Sequence, residues 1–188
     1  MIPSLKNRGF TIVEILVVVV VISILASITV VAYNGVQTRA VNSQILSAVT
    51  GWEKVLKLYK VNKGALPLSD YNCLANASAN FPASTGLAAG ECMHGYPFAP
   101  TFSAVYSAAL TSDLSTILTG TLLLPTGYLP PISGTVSGTQ VYAQGIRYNN
   151  LALQYYLKGY PANCGKGAPI TAGLAGDSLT LCWIDLSL

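Results

Sequence analysis

Gly9-Phe10-Thr11-Ile12-Val13-Glu14, running directly into the apolar residues 15–32, decides how this chain is read. Lys6 and Arg8 stand just ahead of it, and no charged side chain follows Glu14 until Arg39. About twenty apolar residues, rising ~1.5 Å each, cross the ~30 Å hydrocarbon core of a bilayer. The β-branched run Val17 to Val21 is a poor helix former in water. In lipid the cost of unpaired backbone groups makes a helix obligatory. The two cations place the start of the span on the cytoplasmic side and everything after Tyr33 outside. A cleaved secretory signal, cut near Ala26 or Ala32, and an uncleaved signal anchor share the basic head and apolar core. Neither accounts for a carboxylate at the mouth of the run.

The order of these residues resembles the processing site of type IV prepilins and pseudopilins. In that family a membrane aspartyl peptidase cuts after the glycine and methylates the new amino terminus. The resemblance implies cleavage between Gly9 and Phe10, with Phe10 as the N-methylated first residue. It covers residues 6–37 and implies only a general plan beyond them. That plan is an α+β, ladle-like fold: a long N-terminal helix, membrane-spanning in its first half, packed against a small antiparallel sheet.

Glu14 has a physical reading of its own. An ionised carboxylate inside a bilayer costs on the order of 3 kcal/mol unless it is paired, so such a residue is a functional candidate. Cutting after Gly9 creates an α-amino group on Phe10 about one helical turn away. By the resemblance, Glu14 is the assembly residue, pairing with the amino terminus of a neighbouring subunit. The plainer alternative is a carboxylate that marks the interface and snorkels to water.

The chain has 188 residues, 52% hydrophobic and 9% charged, with 17 Gly and 10 Pro. That is too apolar for a disordered chain and too punctuated for a polytopic membrane protein. One span and one globular head fit. Loss of Lys6 and Arg8 with a leader would bring the formal charge of +3 down to +1, so DNA binding is not indicated.

Five segments follow: a leader (1–9), a spanning half-helix (10–33), an amphipathic half-helix (34–63), a variable connection (64–138), and a sheet with a cysteine-bounded loop (139–188). Ile45, Val49, Trp52, Val55, Leu56 and Tyr59 recur at three- and four-residue intervals, one apolar stripe on a helix. Lys54, Lys57, Lys60 and Lys63 fall largely off it, as a solvated face or a contact for lipid head groups, acidic neighbours or DNA. Tyr33-Asn34-Gly35 is a soft point. After Pro100, Phe102, Val105, Tyr106, Ala109, Leu110, Leu114, Ile117 and Leu118 keep helical spacing and predict a short helix. Val141 to Tyr148 predicts a strand turning at Asn149-Asn150 into a second, 151–158, whose alternation puts one face on the helix. A third strand follows at 179–185.

Cys73, Cys92, Cys164 and Cys182 fall as two separated pairs, compatible with disulfides outside the cytoplasmic membrane. Four cysteines allow three pairings. Neighbour pairing closes two loops of roughly 20 residues, worth ~3 kcal/mol each in the chain-entropy model. Crossed pairing and free thiols remain open at this level. The bounded loop 165–181 resembles the C-terminal loop of many pilins. No metal site is expected: Cys92-Met93-His94 lacks zinc-ligand spacing, and Asp177 and Asp185 are too scattered for a calcium loop. No cofactor and no catalytic residue are expected, for there is one His, no Gly-x-Ser-x-Gly and no phosphate loop.

The sequence therefore predicts a structural subunit of an extracellular pilus serving adhesion, motility or DNA uptake. A minor pilin or type II secretion pseudopilin is one alternative, and a signal-anchored extracytoplasmic enzyme another. By resemblance its partners are like subunits, the prepilin peptidase, an inner-membrane assembly platform and, before assembly, membrane lipid. The eleven Tyr and two Trp are read as core and subunit packing rather than a sugar- or DNA-stacking platform.

Overall fold

The computed structural model describes residues 10–97, 99–118, 124–125, 127–170 and 176–187, with the side chains of Val31 and Pro100 left aside. The leader 1–9, with Gly9, lies outside the described residues. The chain divides into two units, residues 1–39 and 40–188.

Helix α1 runs Ile12–Lys63. Within the first unit it exposes every side chain described, from Phe10 to Val36. Ser23 and Ser27 donate to the carbonyls of Val19 and Ser23 at 2.7 and 2.8 Å, and Thr29 to Ala26 at 2.9 Å, so these hydroxyls are satisfied by the helix itself. Helical structure continues through Tyr33-Asn34-Gly35. The helix ends where Gly64 takes φ 81° and donates its amide to Lys60 at 2.9 Å, a left-handed stop that glycine adopts without strain.

In the second unit the helix carries the stripe read from the sequence. Ile45, Val49, Trp52, Val55, Leu56 and Tyr59 are all buried, Trp52 and Leu56 completely. They share one core with the strands. The strands are β1 (Asn72–Cys73), β2 (Glu91–Tyr96), β3 (Ala99–Val105), β4 (Ile132–Val136), β5 (Thr139–Ala143), β6 (Arg147–Asn149), β7 (Ala152–Lys158), β8 (Ala168–Pro169) and β9 (Leu179–Asp185), with a short helix α2 (Ala108–Ser115). They form two antiparallel sheets, ordered β1-β6-β7-β9-β8 and β3-β2-β5-β4. The α+β class expected from the sequence is the one observed.

Four local expectations are corrected. A single sheet of three or four strands becomes two sheets, because the segment 64–138 supplies β1 to β4 and does more than connect. The helix expected over 102–118 is shorter. Residues to Val105 pair with β2, and α2 starts only after Ser107, whose hydroxyl accepts from the Leu110 amide at 3.2 Å as an N-cap. The strand expected over 141–148 is two strands in different sheets. Between them Gly145 lies so close to its neighbours that a Cβ there would come 2.6 Å from the Phe81 ring and 2.7 Å from Cys92 Cβ. Lastly, β7 has one face toward the helix as expected, and its other face is covered as well. Tyr155 lies near Glu53 of α1, whereas the Tyr156 hydroxyl donates to the Gly95 carbonyl of the other sheet at 3.4 Å.

Because Leu56 is completely enclosed, Leu56→Ala is expected to cost about 2–5 kcal/mol of head stability. Val61→Ala, at an exposed position of the same helix, should stay within about 0.5 kcal/mol. Thermal unfolding of the full chain in detergent, followed by near-UV circular dichroism, measures both.

Candidate functional site

The first turn of α1 has a geometry that explains how Glu14 is held. The Thr11 amide and hydroxyl both donate to Glu14 Oε2, at 2.7 and 2.8 Å, and the Glu14 amide donates back to Thr11 Oγ1 at 3.2 Å. This is a reciprocal capping box: Thr11 is the N-cap and Glu14 the third helical residue, satisfying orphan donors at the helix start. The negative carboxylate also sits at the positive end of the helix dipole. The signal was present in the sequence as Thr-x-x-Glu ahead of an apolar run, and reading Glu14 only as a membrane carboxylate passed over it. Phe10, one residue before the cap, is 82% exposed.

A second cluster surrounds the cysteines. Cys73 bonds Cys92 (S–S 2.08 Å), joining β1 of one sheet to β2 of the other, and Cys164 bonds Cys182 (2.02 Å), fastening the chain before β8 onto β9. The pairing is thus between neighbours. With Cys92 oxidised, the thiol beside His94 that a zinc reading requires is absent. Asp177 accepts from the amides of Ser137 (2.8 Å) and Gly138 (3.3 Å), and Asp185 from that of Ser187 (2.8 Å), so both carboxylates brace turns.

The loop bounded by Cys164 and Cys182 is tied to α1. Lys166 Nζ lies 3.3 Å from Glu53 Oε2, Lys57 Nζ lies 2.8 Å from Glu53 Oε1, and the Tyr155 hydroxyl donates to the Cys164 carbonyl at 2.6 Å. The hydrogen bond from Lys57 is the main reason that the Glu53 carboxyl titrates below its ordinary value, opposing the effect of burial. Burial pushes the Tyr155 phenol up to about 12. Of the lysine row, Lys57 is engaged by Glu53 and Lys60 donates to the carbonyls of Leu186 and Ser187 at 3.3 and 2.9 Å, so the row is not simply a solvated face.

Residues 4–30 match the prokaryotic N-terminal methylation motif. The chain is also 32% identical over 74 residues to type II secretion system core protein G of Klebsiella pneumoniae, covering 39% of this chain and 53% of that protein. Against the same protein of Escherichia coli K12 identity is 33% over 91 residues, 48% of this chain and 61% of the relative. The N-terminal segment is prepilin-like. The chain is also 34% identical over 65 residues to core protein G of Vibrio cholerae, covering 35% of this chain and 44% of that one. It thus spans between 44% and 61% of the length of these three relatives. No solved structure gives a significant match. Among the described residues one helix, α1, is long and apolar enough to cross a membrane; with the motif running from residue 4 into its first half, this is the arrangement of a single-pass inner-membrane anchor.

Glu53 yields a pH prediction. Its folded pKa lies below the ordinary 4.5, so its contribution is fully present above that pH and is lost as the pH falls through the lowered value. Glu53→Gln should lower the midpoint of unfolding by roughly 2–4 °C at neutral pH, a modest effect because both lysines are largely exposed. The gap between variant and parent should close as the pH falls from the ordinary carboxylate range through the lowered pKa, measured by parallel thermal melts.

Proposed function

We propose that this chain is a structural subunit of a filament of the type II secretion kind, cut between Gly9 and Phe10, methylated on Phe10, and assembled through the apolar part of α1. The carrying observation is that every described apolar side chain from Phe10 to Val36 is exposed, on a stretch that the methylation motif covers as far as residue 30. A surface of that extent calls for lipid before assembly and other subunits after it. With the start of the span cytoplasmic, the head and its disulfides lie outside, where disulfides persist.

In this reading Glu14 carries the assembly charge. The capping box holds it as an acceptor on its own chain until the α-amino group of another subunit supplies a cation. Pairing with like subunits, and contact with the prepilin peptidase and an assembly platform, complete the partners. The alternative of a pilus reaching far from the cell uses the same helix and charge; the head is the part that would distinguish the two.

In this reading the role is structural. The lone histidine, His94, stands 4.0 Å from Glu91 Oε1, and the Ser103 hydroxyl donates to the same oxygen.

Two substitutions separate charge from capping. Glu14→Gln keeps an acceptor for Thr11 and removes the charge, whereas Glu14→Val removes both. Both should still yield a chain beginning at N-methyl Phe10 by mass spectrometry, and neither should enter sheared fibres. Normal incorporation of the Gln variant would overturn the charge role. An unprocessed start at Met1 would overturn the whole reading.

A further inference from the structure

Arg147 is buried to 1% exposure, and no ion pair found among the described residues includes it. Its guanidinium carbon lies 4.6 Å from the centroid of the Phe102 ring, 4.7 Å from that of Tyr96 and 5.1 Å from that of Tyr71. One η nitrogen donates to Gln154 Oε1, Tyr96 also hydrogen-bonds the group, and Nε has no partner. Register explains the assembly: Arg147 of β6 stands opposite Gln154 of β7 and Cys73 of β1, while Tyr96 and Phe102 come from β2 and β3 of the other sheet.

Beside this cluster opens a cavity of about 380 Å³ lined by Tyr71, Tyr96, Phe102, Arg147, Asn149 and Gln154. Such a volume is at the small-molecule end of the range for ligand sites, about 300–1,000 Å³. Among the described lining residues, which also include Ala99, there is one permanent positive charge and no carboxylate. An aromatic cage usually receives a cation, but here the cage position is already filled by the protein's own guanidinium. What remains is the η donors of the guanidinium not used by Gln154, aromatic surface, and the amides of Asn149 and Gln154.

We propose that this cavity is a binding site for an acidic monosaccharide of the hexuronate class. The sugar carboxylate meets the guanidinium, the ring lies against the aromatic walls, and hydroxyls address Asn149 and Gln154. Charge selects the carboxylate, since a charge-assisted contact is about twice as strong as a neutral one. The amides favour a hydroxylated ring over a purely apolar acid. Arg147 is held in place by its neighbours beforehand, which lowers the entropy lost on binding. This inference is independent of how the N-terminal helix assembles, and it assigns the head a ligand of its own.

The test uses the full chain in detergent, labelled with 15N. The chain has only three arginines, Arg8, Arg39 and Arg147, so the Nε–H signal of Arg147 is assignable. Sodium glucuronate should shift that signal in a saturable way, with glucose and benzoate each at least about tenfold weaker. Tyr71→Ala, at a half-exposed wall position, should leave the unfolding midpoint within a few degrees of the parent and weaken glucuronate about tenfold. A signal unmoved by glucuronate overturns the proposal, as does glucose or benzoate matching it, or undiminished binding by the Tyr71 variant.

Discussion

The head depends on the burial of one helix stripe. Trp52 and Leu56 are completely withdrawn from water, flanked by Ile45, Val49, Val55 and Tyr59. Full burial of such a side chain is worth about 1.5–3 kcal/mol before the entropy of ordering is charged against it. Polar groups of the same helix then fix how the sheet is laid on it. Asn42 makes two hydrogen bonds to the backbone of Lys158, at 2.9 and 2.8 Å, closing the end of β7. Tyr59 donates to Asp113 of the segment carrying α2 at 2.6 Å. Apolar area supplies most of the stabilisation, and these directional bonds choose among registers that bury similar area.

The helix lives in two environments. Between Phe10 and Val36 the described side chains are exposed and mostly apolar, and the hydroxyls of Ser23, Ser27 and Thr29 are returned to the helix's own carbonyls. From Ile45 to Tyr59 the apolar groups are confined to one face and covered by strands. Glu14 fits this division because the capping box absorbs part of the cost of a carboxylate at a lipid boundary. The same contact that starts the helix keeps the charge oriented and available.

Two charges within the head are accommodated by opposite means. Glu53, buried at 5% exposure, is neutralised by Lys57 and Lys166 and so joins the Cys164–Cys182 region to α1. Arg147 has aromatic faces and a neutral amide in place of a counter-ion, and burial lowers its pKa from the ordinary value. A cation so placed retains unspent electrostatic attraction for an anion. The site already contains the rings and amides that would hold the rest of a small ligand.

Signals within one helix turn or one strand were legible in the sequence, because periodicity encodes which side chains face together. The stripe from Ile45 to Tyr59 is the clearest case, and the apolar run after Glu14 the next. Thr11-x-x-Glu14 was also legible as a cap. Signals that depend on partners far away in sequence were not. Val141 to Tyr148 looks like one strand, yet the close approach of Phe81 and Cys92 at Gly145 accompanies its passage from one sheet to the other. The segment 64–138 has the composition of a loop, and its strands exist because β2 and β5 pair across some fifty residues. No local pattern announces the Arg147 cluster, whose parts come from β2, β3, β6 and β7 and from Tyr71 just before β1. Sequence alone determined the long helix, its lipid-like half and the core stripe, since these follow from the order of apolar side chains. Tertiary structure alone decided the second sheet, the disulfide pairing and the aromatic cavity, since each is made by contacts between residues distant in the chain.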